Sequence, residues 1–307
     1  MRVLLHAPLH PSYWVYLMEV LKEHKFYIEP REDFQEGMTP RNHIKYTIVP
    51  RKECKEMDMD VQFVVLSGYN YLDEIYSLIK EFPLPTVWLS YWKDKIPEYA
   101  VKYPLIAGNR FRSNTEYSNI RYTHVPPSRK LWSKNWKGDI PKVFIPAQRY
   151  LEPGFSHTFL HKLMKELRNT KLELDVLENA QRLMQFDDWR WKFIHERVLL
   201  DASDKLSSFV IEEAMMVGMP IVTRNINEQS LLVRDKVDGL TIWDERDLIQ
   251  ILTRFLTDYE YAKEWSEKSK ARGKEILLPN KTREVLNKAM GDAIRLFKNS
   301  KEPFKRA

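Results

Sequence analysis

Cysteine is nearly absent from this chain of 307 residues, with Cys54 standing alone. A single thiol excludes an internal disulfide framework and any cysteine-rich metal site. Long apolar runs are missing as well. None approaches the roughly 20 residues that a membrane-spanning helix needs. The apolar start, residues 1–8, is short and interrupted by His6, so it reads as a strand rather than a secretory signal. A cytoplasmic location is therefore the expectation. Also missing are a Walker-type phosphate loop, a Gly-x-Gly-x-x-Gly fingerprint, a His-Glu-x-x-His pair and a Gly-x-Ser-x-Gly elbow. Those absences remove nucleotide triphosphatases, dinucleotide oxidoreductases, zinc proteases and ordinary hydrolases from the leading classes.

What is present suits packed cores: 43% hydrophobic and 12% aromatic residues, with 30% charged residues for a solvated surface. The length favours two domains. The net charge of +6 is uneven. Between positions 121 and 149 stand Arg121, Arg129, Lys130, Lys134, Lys137, Lys142 and Arg149, against the single acid Asp139. The tail repeats the bias with Arg295, Lys298, Lys301, Lys305 and Arg306 against Glu302. Such patches suit an anionic partner, whether a nucleotide diphosphate, a membrane surface with the chain peripheral to it, or nucleic acid.

Apolar runs at 2–7, 61–67, 86–90 and 105–108 alternate with helical spacing at 13–24 and 72–82. Runs without period-two alternation indicate strands covered on both faces, hence a parallel sheet. Residues 126–141 read as a proline-bounded polar linker. The alternation then restarts with strands at 143–145, 172–177, 198–200, 221–222 and 240–243, and helices at 159–167, 209–217, 245–256, 259–273 and 281–297. The fold class is α/β, two doubly wound Rossmann-type halves over 1–130 and 142–280, followed by a helix and basic tail at 281–307. Ligands in such sheets sit beyond the carboxyl ends of the strands.

The most informative segment runs from Asp204 to Thr223. Ser207 or Ser208 can cap a helix there, Gly218 can take the left-handed position after it, and Pro220 prevents continuation. Seven of the nine residues from 209 to 217 are apolar; Glu212 and Glu213 are the exceptions. An unpaired buried carboxylate is costly, so an acid on so apolar a helix calls for a ligand or an ion pair. This segment, Glu213-Ala-Met-Met-Val-Gly-Met-Pro-Ile-Val222, resembles the donor-domain signature of glycosyltransferase family 4, the retaining enzymes with the two-domain GT-B fold. Val233-Arg-Asp-Lys-Val-Asp-Gly-Leu240 is similar to the family's Val-Arg-Asp-Gly-x-x-Gly-Leu stretch. The resemblance covers about residues 196–275.

The resemblance implies a sugar nucleotide as co-substrate, with no metal and no other cofactor. It implies that Glu213 accepts hydrogen bonds from the nucleotide ribose. The backbone N–H groups of Leu206, Ser207 and Ser208 would face the diphosphate at the positive end of the helix. The family's first glutamate falls eight residues before Glu213, where this chain has Lys205. A lysine cannot accept sugar hydroxyls but can pair with phosphate or a sugar carboxylate. The basic pair that neutralises the leaving diphosphate maps to Arg149, with Lys205 as its companion, and these two with His6 are the catalytic candidates. His10 and Tyr13 follow the first strand and are acceptor-side candidates.

Two further signals have ordinary readings. Asp58-Met-Asp60 matches a metal-binding pattern of another glycosyltransferase fold, but lies where an acidic lead-in to a strand is common. Asp187-Asp-Trp-Arg-Trp-Lys-Phe193 forms either a wall for the nucleotide base or a cap on the domain core. The leading function is thus a hexosyltransferase-type glycosyltransferase using a nucleotide-diphosphate sugar. The alternatives are a DNA-modifying glycosyltransferase, a membrane-surface enzyme with a lipid acceptor, and a catalytically inactive sugar-nucleotide binding protein.

Overall fold

The computed structural model describes residues 1–6, 11–29, 45–65, 72–90, 105–107, 120–122, 125–146, 173–176, 186–201, 208–224, 232–242 and 245–299. They divide into two compact units, Met1–Pro126 with Leu278–Ala307, and Pro127–Leu277.

The first unit is built on seven parallel strands: β1 (Arg2–His6), β2 (Lys25–Glu29), β3 (Tyr46–Ile48), β4 (Val61–Val65), β5 (Thr86–Ser90), β6 (Leu105–Ala107) and β7 (Ile120–Tyr122). Their order is β3-β2-β1-β4-β5-β6-β7, which reverses between β1 and β4. Helices α1 (Pro11–Val20), α2 (Arg51–Cys54) and α3 (Leu72–Glu81) belong to the same unit. The continuous apolar runs are explained by cover on both faces: Val3, Leu4 and Leu5 of β1 are all fully buried. On one side Leu4 and Val64 pack with Leu78, Ile79, Phe82 and Trp88. The chain's last helix, Pro279–Asn299, returns to this unit and packs on β4, β5, β6 and α1. Arg283 fixes it by donating to the Val20 carbonyl at 2.7 Å.

Among the described residues the second unit has five parallel strands: β8 (Ile140–Ile145), β9 (Glu173–Val176), β10 (Glu196–Asp201), β11 (Ile221–Arg224) and β12 (Leu240–Ile242). Their order is β12-β11-β10-β8-β9, so the direction of winding reverses between β8 and β10. The helices here are α4 (Phe186–His195), α5 (Ser208–Val217), α6 (Glu245–Thr257) and α7 (Tyr259–Ile276), and the last helix described above is α8. Asp258 caps α7 by accepting from the Tyr261 N–H at 2.9 Å, relieving an orphan donor of its first turn.

Residues 126–141, read as a polar linker, start at the division between the units and pack on the second unit through two tryptophans. Trp132 is buried edge-on against Phe186 and Phe193. Trp136 donates its indole N–H to the Glu196 carbonyl at 2.9 Å and stacks on Tyr259. Arg129, Lys130, Lys134 and Lys137 are exposed between these anchors, so the segment is a strap bound by its tryptophans with its charges facing solvent. Among the described residues no helix is long and apolar enough to cross a membrane.

Candidate functional site

Helix α5 follows β10 and leads into β11, next to the strand-order reversal of the second unit. Ile211, Ala214 and Met215 are fully buried, and Glu212 and Glu213 are also buried, at 1% and 4% exposure. The helix ends as its sequence dictates. Gly218 sits at φ +87°, and the N–H groups of Gly218 and Met219 both donate to the Ala214 carbonyl at 2.8 Å. A side chain at Gly218 would also meet α7, where the Ser266 carbonyl lies 3.1 Å from the position of an added Cβ.

The Glu213 carboxylate accepts a hydrogen bond from the Trp189 indole N–H at 2.8 Å. Trp189 lies on α4 and meets Phe144 and Phe193 edge-on, with centroids 5.4 and 5.2 Å away. The aromatic run at 187–193 therefore caps the core and also reaches the candidate ribose ligand, a combination that its composition did not separate.

The Val233–Leu240 stretch is a pinned turn. Asp238 is buried, accepts from the Arg234 backbone N–H at 2.7 Å and pairs with its guanidinium. Asp235 accepts from the Thr241 N–H at 2.9 Å, tying the turn to β12. Where the family pattern has its first glycine this chain has Lys236, held in the left-handed region at φ 59°.

His6 ends β1 in the first unit and is buried. Its Nδ1 faces Glu29 Oε2 at 3.0 Å and its Nε2 faces Gln62 Oε1 at 2.8 Å. The Gln62 amide is fixed, because its nitrogen donates to the Phe82 carbonyl and to Thr86 Oγ1, while Thr86 donates to the Leu84 carbonyl. Both ring nitrogens thus lie within hydrogen-bond distance of side-chain oxygens. Arg51 continues the network from Glu29 to Glu81, whose carboxyl is pulled down to about 2 chiefly by that arginine's hydrogen bond, against burial, with help from Lys55.

Ser208 is the first residue of α5, and Tyr13 lies within α1. His10, Arg149, Lys205, Leu206 and Ser207 fall outside the described residues. Asp58 and Asp60 lie just before β4, where Asp60 accepts from the Arg2 backbone N–H at 2.7 Å and Asp58 pairs with the Arg2 guanidinium. Among the described residues no three or more His, Cys, Asp or Glu side chains are grouped to hold a metal ion.

One titratable cluster had no signal in the sequence. Glu196 at the start of β10, Asp175 on β9 and Lys192 on α4 meet beneath that helix. Burial, and then the hydrogen bond and charge of Asp175, push Glu196 up from 4.5 to about 8. Burial works to raise Asp175 as well, but hydrogen bonds from Glu196 and Lys192 hold it below its usual range. Burial and the neighbouring Asp175 favour the neutral form of Glu196, and the Lys192 ammonium pairs with both acids.

No family model matches the chain, and no curated protein matches it. Solved structures do. Alr3699/HepE from Anabaena, in complex with UDP and glucose, is similar with a TM-score of 0.66 at 12% identity, over 95% of this chain and 99% of that one. Sucrose-phosphate synthase from Thermosynechococcus elongatus gives 0.62 at 12% identity, over 98% and 100%. AviGT4, a glycosyltransferase involved in avilamycin A biosynthesis, gives 0.62 at 12% identity, over 97% and 98%. Two all-parallel Rossmann-type sheets matched over nearly the whole chain in this way are the GT-B fold, the fold of family 4-type glycosyltransferases.

Proposed function

We propose that the chain is a glycosyltransferase that moves a sugar from a nucleotide-diphosphate sugar to an acceptor hydroxyl, with the nucleotide held by the second unit. The observation that carries this reading is Glu213: a carboxylate at 4% exposure, next to the likewise buried Glu212 on a mostly apolar helix, beside the sheet's switch point, at the position the family signature assigns to the ribose. A hydrogen bond from a ribose hydroxyl to a charged acceptor is worth about 1.5–3 kcal/mol, which offsets part of the cost of burying the acid.

In the transfer, the bond between the sugar's anomeric carbon and the diphosphate breaks, a bond to the acceptor oxygen forms, and the acceptor proton is released. The demand on the protein is neutralisation of the departing diphosphate. Arg149 and Lys205 take that role in this proposal, with the N–H groups at 206–208 facing the same phosphates, and no metal is required. His6 is the third catalytic candidate, His10 and Tyr13 belong to the acceptor side, and retention of configuration follows from the family resemblance. A thermal-shift screen against UDP-, GDP-, ADP- and CMP-sugars tests the reading. One class of donor raising the melting temperature, followed by turnover of that donor, supports it; no response to any of them contradicts it.

A further inference from the structure

Three residues of α4, Phe186, Trp189 and Phe193, are spaced by three and four positions and so share one face of the helix. That face is built into the core: Phe193 is fully buried, and it meets Phe144 of β8 and Trp132 of the strap edge-on. Arg190 anchors the helix further by donating to the Leu131 carbonyl at 2.8 Å. Trp189 is held within this set, and its one polar atom is aimed at Glu213 Oε2. Burial alone does not aim an indole N–H in this chain. Trp265, buried on α7, makes no hydrogen bond through its own. Trp191, two positions from Trp189, is 46% exposed and stacks on His195 instead.

We infer that Trp189 is a positioning residue of the donor site: its indole N–H holds the Glu213 carboxylate in the orientation that meets the ribose hydroxyls, so selectivity for a ribonucleotide donor depends on it. This rests on Glu213 being the ribose ligand. The physical reason is the length of the glutamate side chain. Glutamate has three rotatable bonds, and ordering it costs entropy at each binding event unless the folded chain has already fixed it. An indole is a donor only, and a carboxylate oxygen is its natural acceptor. Its ring is gripped by Phe144, next to the strand-order reversal, so the carboxylate is referenced to the sheet rather than to a loop.

The test separates this role from simple packing. UDP, GDP and ADP are titrated into the wild type by calorimetry, and the tightest is carried forward with its 2′,3′-dideoxy counterpart and with inorganic pyrophosphate. The wild type prefers the ribonucleotide by about ten- to a hundredfold, the range for a hydrogen bond to a charged group. In Trp189→Phe that preference falls by about tenfold while dideoxynucleotide and pyrophosphate affinities stay at wild-type values. Trp191→Phe leaves all of them unchanged, and Trp189→Phe adds no further loss in a Glu213→Ala background, where the indole has no partner at that position. A preference kept in full by Trp189→Phe, or affinities that fall together for ribo and dideoxy forms, overturns the inference and leaves Glu213 in place. A wild type with no preference overturns the ribose reading itself. A second measurement needs no tryptophan variant. Among the indole N–H resonances of the nine tryptophans, one moves in Glu213→Gln and the same one moves when nucleotide binds the wild type. No shared resonance would also overturn the inference.

Discussion

Replacing Glu196 by glutamine isolates the proton that the folded second unit retains. Glutamine keeps the shape of a protonated carboxyl, but it cannot ionise. In the wild type, burial first and Asp175 second raise Glu196 from 4.5 to about 8. Between those values the folded chain holds a proton that the unfolded chain has released. The stability from Glu196 is therefore fully present below the unfolded value and is lost as pH rises through the folded one. Each pH unit inside that window removes about 1.4 kcal/mol, so the whole window is worth on the order of 4–5 kcal/mol. Asp175 moves the other way: it is held low, and its contribution is lost only as pH falls below its unfolded value. Urea unfolding of wild type and Glu196→Gln from about pH 5 to about pH 8 reads the difference. The wild type is expected to lose roughly 1 kcal/mol per pH unit relative to the variant. Parallel profiles across that range would refute the protonated-acid assignment.

Lys236→Gly is expected to stabilise the chain, because a non-glycine residue at φ 59° carries a steric cost that glycine does not. That cost of about 1–2 kcal/mol, less the extra entropy glycine loses on folding, leaves a gain of about 0.5–1 kcal/mol in stability, seen as a higher urea midpoint; a lower midpoint would contradict it. Sugar transfer or donor hydrolysis is expected to persist in excess EDTA, since Asp58 and Asp60 are engaged by Arg2 ahead of β4. Complete loss on chelation, restored by manganese, would move both acids into the chemistry.

Much of the fold was legible because buried parallel strands write themselves as continuous apolar runs, and β1, β4, β5 and β10 all do. β2 was not read, because its ends are Lys25 and Glu29, and Glu29 is buried where it meets His6 and Arg51. β3 and β7 are three-residue edge strands, too short to carry a pattern. The strap at 126–141 was hidden by its lysines, since composition does not reveal that Trp132 and Trp136 point inward. At the candidate site, Glu213 stood out as an acid in an apolar helix, and the end of α5 at Gly218 was written in Gly-x-Pro. Trp189 and the Asp175–Lys192–Glu196 cluster were not legible, because each joins residues from different strands and helices that only the folded sheet brings together.

The central claim, that Glu213 binds the nucleotide ribose, is tested most directly by calorimetric titration of the preferred nucleoside diphosphate into wild type and Glu213→Ala. Loss of one charge-assisted hydrogen bond predicts weaker binding by about 1.5–3 kcal/mol, roughly ten- to a hundredfold. Unchanged affinity in a variant that unfolds at the wild-type temperature would contradict the account.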